Sequence, residues 1–300
     1  MFTNTLVDLD LELPCTSFAE GATVDATVRA TVARDLTAAG GSLELVRTIT
    51  YRYTGWSPYA APFTATARAA EVVSRASFQP DGPLAAGRTL VWPLTLAVPA
   101  SGPGSAHTEL VEIDWAVHAR LRIDQGRDVE ATRAITVLSK ARDCAAVAHI
   151  PPEAEDQGAA VLGLESLSSR RLVPGVPLSG VLTVQPLRSL SARSVRVDLV
   201  LAEHVLHGPW LSDDPVRNPA QQDKYAETIV ASVSLANHAG LDPGQLLRYE
   251  FTLPVPPRLQ APTMRRPAYT LTWMLRGVVD RQLRRDPCVA VELHAVTTPA

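Results

Sequence analysis

The chain has 300 residues, of which 28 are basic and 31 are acidic, so its formal net charge is −3. A charge this balanced argues against nucleic-acid binding along the whole chain. The length suits two domains of about 150 residues, each able to bury about 68–70% of its unfolded surface in its own core.

The first predicted element is the segment LVDLDLEL, residues 6–13, in which apolar and acidic residues alternate. This is the period of a half-buried β-strand. The preceding residues lack the basic and apolar regions of a signal peptide, and no run approaches the roughly 18 apolar residues of a membrane span. We therefore expect a cytoplasmic protein without a membrane span.

Further alternating or β-branched runs follow along the chain, and no long amphipathic helix is predicted. In the first half, the remaining predicted strands are 22–33, 43–54, 64–78, 89–98, 110–123 and 129–138. In the second half, they are 160–168, 178–185, 193–205, 224–235, 246–253, 268–281 and 288–296. Each half therefore contains seven predicted strands.

Three segments of the first half recur in order in the second half. The matched segments are 18–28 with 172–182, 86–99 with 243–256, and 113–124 with 270–280. They align Gly21 with Gly175, Gly87 with Gly244 and Trp115 with Trp273, at offsets of 154, 157 and 158 residues. A slowly drifting offset is expected of two copies with small loop differences, so we predict one duplicated seven-strand unit.

Antiparallel strands separated by Gly and Pro turns are typical of a β-sandwich. The predicted fold class is therefore all-β, with two consecutive antiparallel β-sandwich domains at 1–140 and 159–300. Residues 141–158 lose the alternation and include Pro151 and Pro152, which indicates a linker. The alternation also predicts that the side chains of Trp115 and Trp273 point into the cores of their sandwiches.

Two features of this repeat resemble the arrestin superfamily. One is the turn at Glu20-Gly21 and Pro174-Gly175, and the other is an apolar strand, a Pro, a long loop and an aromatic strand late in each copy. Within that superfamily the chain is most similar to bacterial sporulation-control proteins. The resemblance implies a non-catalytic adaptor or scaffold that binds proteins through loops and sheet faces. Residues 1–28 contain no Lys or Arg, unlike the phosphate-capturing start of receptor-binding arrestins.

Common catalytic and cofactor motifs are missing from the sequence, so we expect no enzyme activity and no cofactor. Cys15, Cys144 and Cys288 are too widely spaced for a disulfide scaffold or a structural zinc site, and they suggest a reducing compartment. The segment containing His204, His207, Asp213 and Asp214 offers metal-ligand types. Residues three apart on a strand point to opposite faces, so solvated strand-end residues are favoured over a metal site. His118 is expected to face solvent.

Two segments at equivalent places in the repeat contain aromatic residues in a turn-rich sequence, and we predict that both are exposed loops. They are 53–63, with Trp56, Tyr59 and Phe63, and 207–219, with Trp210. Loop aromatics are frequent anchors of protein interfaces. The alternative is that both Trp side chains fold back to cap their sandwiches.

The segment 258–285 contains seven Arg residues, among them Arg265 and Arg266, and a single acid, Asp280. It is a candidate surface for an acidic partner, a phosphorylated peptide or a lipid headgroup. The alternative is that these side chains protect an edge strand from aggregation.

The leading hypothesis is a non-catalytic intracellular adaptor that binds other proteins, in signalling or in developmental, sporulation-type regulation. The partner is unidentified, and both peripheral lipid contact and homo-oligomers remain compatible with the sequence. The alternative is a small-molecule or lipid-binding module that uses the cleft between the domains. An enzyme with an unrecognised site is a third hypothesis.

Overall fold

The computed structural model of the chain describes residues 6–57, 60–80, 82–124, 126–139, 158–206, 223–282 and 284–297. Within these ranges the regular structure consists of β-strands. No helix of the described residues has the length and apolar character needed to cross a membrane.

The described residues of the first half form nine strands, several of which show the alternating burial that their sequences predict. They are β1 (Val7–Glu12), β2 (Ser17–Ala19), β3 (Thr23–Val32), β4 (Ala38–Ser57), β5 (Ala60–Phe78), β6 (Thr89–Ala97), β7 (Ala106–His107), β8 (Val111–Ile123) and β9 (Val129–Leu138). In β3, for example, Val24, Ala26 and Val28 are buried, while Asp25 is exposed and Thr27 is half-buried. The apolar face of such a strand gains stability only when a second sheet covers it.

The second half repeats this series of strands. They are β10 (Ala160–Glu165), β11 (Arg171–Leu172), β12 (Leu178–Pro186), β13 (Leu190–Val205), β14 (Lys224–Leu241), β15 (Leu247–Leu253), β16 (Met264–Arg265), β17 (Tyr269–Asp280) and β18 (Cys288–Ala295).

The sheet topology is the same in the two halves. In the first half, one sheet has the order β1-β3-β6, and the other has the order β2-β9-β8-β4-β5 with β7 on β8. The second half has β10-β12-β15 and β11-β18-β17-β13-β14, with β16 on β17. Adding nine to each strand number of the first half gives the second half. The predicted fold class, two β-sandwiches that arose by internal duplication, is confirmed.

The strand register also repeats residue by residue. Trp115 lies opposite Ile135 in the first copy, and Trp273 lies opposite Leu293 in the second. Both Trp side chains are buried, at 2% and 0% exposure. The prediction that they are core residues is confirmed.

The chain forms two compact units that interleave in sequence. The first unit is Met1–Thr50, Ala67–His107 and Glu112–Lys140. The second unit is Tyr51–Thr66, Thr108–Val111 and Ala141–Ala300. A cut at the predicted linker would therefore leave the tip of the β4–β5 hairpin and a four-residue turn in the first domain, whereas their contacts belong to the second unit.

Candidate functional site

The aromatic residues predicted to lie in loops fall partly on strands. Trp56 is in β4 and Phe63 is in β5, so this part of the predicted loop is the tip of a long hairpin. The Phe63 side chain is 51% exposed and remains available as an apolar contact. Tyr59 and Trp210 lie outside the described residues.

The Arg-rich segment is partly ion-paired and partly buried. Arg265 donates hydrogen bonds to both carboxylate oxygens of Glu292, at 2.8 and 2.6 Å, and Arg276 donates to Glu227 at 2.7 Å. Arg281 is only 6% exposed, and the backbone N–H of Arg266 donates to the carbonyl of Tyr269 at 2.9 Å. Ion pairing or burial thus involves three of the seven arginines, Arg265, Arg276 and Arg281, whereas Arg258, Arg284 and Arg285 are exposed.

The alternative explanation of these arginines, protection of an edge strand, is wrong for the Arg that lies on β17. This strand is inside its sheet, between β18 and β13. The sequence shows the aromatic strand but not its neighbours, because the order of strands in a sheet depends on the whole topology.

The two histidines singled out in the sequence, His204 and His118, lie on strands of different halves of the chain. The Nε2 atom of His204 lies 3.0 Å from a carboxylate oxygen of Asp223 at the end of β13, and His207, Asp213 and Asp214 lie outside the described residues. His118 is on the outward face of β8, with Nδ1 3.2 Å from the hydroxyl of Thr132. His118 thus has a hydroxyl partner and His204 a carboxylate partner.

An open groove lies on the outer face of the three-stranded sheet of the first unit. It is formed where the polar faces of β1, β3 and β6 meet, and its volume is about 480 Å³. The lining residues are Glu12, Leu13, Pro14, Asp25, Ala26, Thr27, Pro93, Leu94 and Thr95. The groove thus combines two carboxylates and two threonine hydroxyls with a small apolar surface.

The electrostatics of this face are acidic. Asp8, Asp10 and Glu12 alternate along β1, and Asp25 follows on β3. Two of these acids are paired, because the guanidinium of Arg29 lies 3.2 Å from Glu12 and that of Arg133 on β9 lies 3.0 Å from Asp10. The Asp25 carboxylate accepts a hydrogen bond from Thr95 at 3.2 Å and has no basic partner among the described residues. Such a surface attracts positively charged partners.

The second copy has fewer acids on the equivalent face. The strand registers make Val161, Gly163 and Ser179 the equivalents of Asp8, Asp10 and Asp25, and only Glu165 retains the acid of Glu12. Glu165 is paired with Arg248 at 3.1 Å. Because both copies have the same fold, the acids of the first copy are not required by the sandwich itself.

A second cluster of the first unit was not predicted from the sequence. His107 on β7 lies beside Glu112 and Asp114 on β8, and the possible ligand atoms of all three lie within 4.8 Å of one another. The sequence separates these residues by a turn, so only the pairing of β7 with β8 brings them together.

An ion-pair network joins three strands of the second unit. Asp280 accepts hydrogen bonds from Arg193 at 2.9 and 2.6 Å and from Arg196 at 3.0 Å. Arg196 also reaches the fully buried Asp198, which accepts a hydrogen bond from Ser232 at 2.6 Å. Burial alone would raise the pKa of Asp280, but hydrogen bonds and attraction from the two Arg residues lower it below its usual value. Each of these groups is paired, which indicates a structural role.

No protein-family model matches the chain, and no curated protein matches it either.

Proposed function

We propose that the protein is a non-catalytic cytoplasmic adaptor whose groove on β1, β3 and β6 binds an extended, basic segment of another protein. The observation that carries this proposal is the difference between the two copies. One fold occurs twice, and Asp8, Asp10 and Asp25 of the first copy are replaced in the second by Val161, Gly163 and Ser179, which carry no charge.

The shape and chemistry of the groove support an extended peptide as the occupant. Glu12 and Asp25 offer acceptors for Lys or Arg side chains, and Leu13 and Pro93 offer apolar contacts between them. Extended peptides commonly bind along sheets, where alternate side chains enter alternate sites. Opposite charge would accelerate the encounter and select against acidic competitors.

The resemblance to the arrestin superfamily supports the same class of function, because its members are adaptors or scaffolds that bind through sheet faces and loops. A place in signalling or in sporulation-type developmental regulation belongs to this proposal. Phe63, exposed on the tip of the β4–β5 hairpin, is a second contact for a larger partner.

The test uses a fluorescent ten-residue peptide of alternating Arg and Val, with an alternating Glu and Val peptide as the control ligand. We expect the basic peptide to bind the full chain and to bind the double variant Glu12→Gln/Asp25→Asn about tenfold more weakly, a difference of about 1.4 kcal/mol. Binding should also weaken with added salt. Anisotropy titrations measure each of these affinities.

The second copy provides the matched control variant, Glu165→Gln/Glu250→Gln, which removes two carboxylates from its three-stranded sheet. This variant should bind the basic peptide as the unmodified protein does. Equal weakening by both double variants would point to net charge alone and refute binding in the groove. A partner captured from native cells should show the same dependence on Glu12 and Asp25.

A further inference from the structure

We infer that His107, Glu112 and Asp114 form a binding site for a divalent transition-metal ion of the zinc and cobalt type. The inference is independent of the proposed peptide groove, because the three residues lie on β7 and β8 and line no part of it.

The first argument is distance. The Nδ1 atom of His107 lies 3.8 Å from a carboxylate oxygen of Glu112 and 3.9 Å from one of Asp114. Ligands held about 2.1 Å from a tetrahedral zinc ion are about 3.4 Å apart. The three side chains are 64%, 41% and 50% exposed, so small rotations can close the remaining gap without displacing the core.

The second argument is the rigidity of the backbone that carries the donors. His107 pairs with Glu112 across β7 and β8, and Asp114 follows two residues later on the same face. Ala106 pairs with Ile113 in the same register, and both are completely buried. The donors therefore project from a fixed strand pair, which lowers the conformational entropy lost when an ion binds.

The third argument is the chemistry of the donors. One imidazole nitrogen and two carboxylate oxygens suit zinc, cobalt or nickel, whereas magnesium and calcium favour sites made of oxygen alone. Among the described residues, His107 is the only ion-pair partner of either carboxylate. Two neighbouring carboxylates with no Lys or Arg are thus left for a cation to neutralise.

The second copy again supplies an internal comparison. The registers of β7 with β8 and of β16 with β17 make Arg265, Thr270 and Thr272 the equivalents of the three ligands. In that copy a basic side chain occupies the position of His107, and it pairs with Glu292. The fold therefore does not need the metal-ligand residues, and it accepts an Arg at this position.

Cobalt(II) is the probe, because its visible absorption reports its ligands. In a titration of the full chain we expect one bound ion with a spectrum of nitrogen and oxygen ligands, and we expect zinc to displace it. Asp114→Asn should weaken binding at least about tenfold, since even loss of an outer-shell partner commonly costs 10–100-fold. His107→Arg should abolish binding, because it removes the imidazole ligand, while the second copy shows that the fold accepts an Arg at this position.

His118→Ala and His204→Ala are the matched controls. Each variant removes another histidine on a strand: His118 is hydrogen-bonded to Thr132, and His204 to Asp223. Each variant should leave the cobalt affinity unchanged. Circular dichroism of every variant verifies that the fold is intact.

Three results would overturn the inference: no cobalt binding at millimolar concentration, binding that survives His107→Arg, or an intense thiolate charge-transfer band, which would assign the ion to cysteine. Competition by calcium as effective as that by zinc would show that the imidazole is not a ligand.

Discussion

The two buried Trp residues occupy equivalent positions in the two copies of the fold but differ in the hydrogen bonding of the indole N–H. The indole N–H of Trp273 donates to the carbonyl of the buried Ala261 at 3.0 Å. The indole N–H of Trp115 is buried and has no acceptor among the described residues, although the guanidinium of Arg47 lies 5.7 Å from its ring centroid. Because a buried donor without an acceptor costs free energy, the two side chains contribute differently to stability.

We therefore predict that Trp273→Phe destabilises its unit by about 1–3 kcal/mol more than Trp115→Phe destabilises its own. Both substitutions shrink the side chain by the same amount, but only Trp273→Phe leaves a buried carbonyl without its donor. Urea unfolding followed by far-ultraviolet circular dichroism measures both losses. Equal losses would show that the hydrogen bond contributes no net stability.

At the scale of the element, the two copies use the same turn before the first long strand of each core. Gly21 and Gly175 have φ values of 73° and 74°, a conformation that side chains with a Cβ atom adopt at a cost. Their N–H groups donate to the carbonyls of Pro99 and Pro256, at 3.3 and 2.9 Å. Each turn thereby ties the entry of one strand to the exit of another.

Gly21→Ala and Gly175→Ala are each expected to destabilise the protein by about 1 kcal/mol, because the left-handed backbone becomes strained. The control is Gly240→Ala on β14, where an added Cβ would meet no atom within 4 Å and φ is not left-handed. That substitution should be neutral or slightly stabilising. If thermal unfolding gave the same shift for all three variants, the strain argument would fail.

The network around Asp280 ties β13 to β17 and gives a prediction of pH dependence. Since the pKa of Asp280 is lower in the folded protein than its ordinary value of 3.8, the folded state binds this proton more weakly than the unfolded chain does. Its stabilising contribution is therefore complete above about pH 4 and is lost as the pH falls through the folded pKa.

We predict that Asp280→Asn costs about 1–3 kcal/mol at neutral pH, where Asp280 accepts from two Arg residues. The difference in the free energy of unfolding between this variant and the unmodified protein should become smaller below about pH 4. Urea unfolding at a series of pH values above and below about pH 4 measures it. Asp242→Asn, at an exposed position, is the control and should have little effect. A difference that is independent of pH would mean that the charge of Asp280 is unimportant.

Much of the strand pattern could be predicted because alternation is visible wherever one face is buried. The sequence predicts β6 at 89–98, and the strand is Thr89–Ala97; it predicts β15 at 246–253, and the strand is Leu247–Leu253. Strand β4 starts earlier than expected, at Ala38, because Ala, Gly and Ser give no hydrophobic signal. The short strands β7 and β16 have two residues each and are too brief for any periodicity.

The candidate sites were less accessible to sequence reasoning. The acids of β1 are plain in the alternation of residues 6–13, but their meaning appears only when the register aligns them with Val161 and Gly163 of the second copy. The cluster at His107 depends on which residue of β8 lies opposite it, and a shift of one residue would move Glu112 to the other face.

At the scale of the whole molecule, the second unit includes short pieces of the first half of the chain. Glu203 on β13 is only 1% exposed, and its carboxylate accepts hydrogen bonds from the backbone N–H groups of Glu109 and Leu110 at 3.0 and 2.8 Å. The hydroxyl of Thr108 also donates to it at 2.6 Å. The ring of Tyr51 packs against that of Tyr269 in the same unit, and the two ring centroids are 5.6 Å apart. A fragment that begins at the linker would lack all of these contacts.

We predict that Glu203→Gln destabilises the second unit by about 2–4 kcal/mol. The amide keeps one acceptor oxygen and turns an NH₂ group toward donors that are already buried, so at least one of the three hydrogen bonds is lost and the others weaken. Glu250→Gln on the exposed side of β15 makes the same chemical change without burial and should cost less than about 0.5 kcal/mol.

Thr108→Val completes a double-mutant cycle with Glu203→Gln and isolates the contribution of the hydroxyl. A coupling of about 1 kcal/mol or more between these two sites, measured by urea unfolding of the full chain, is the expected result, because a hydrogen bond to a buried carboxylate is stronger than one between neutral groups. Additive effects would mean that Glu203 is stabilised by the two backbone N–H groups alone. In either case, a loss of less than about 1 kcal/mol for Glu203→Gln would contradict the assignment of residues 108–111 to the second unit's packed structure.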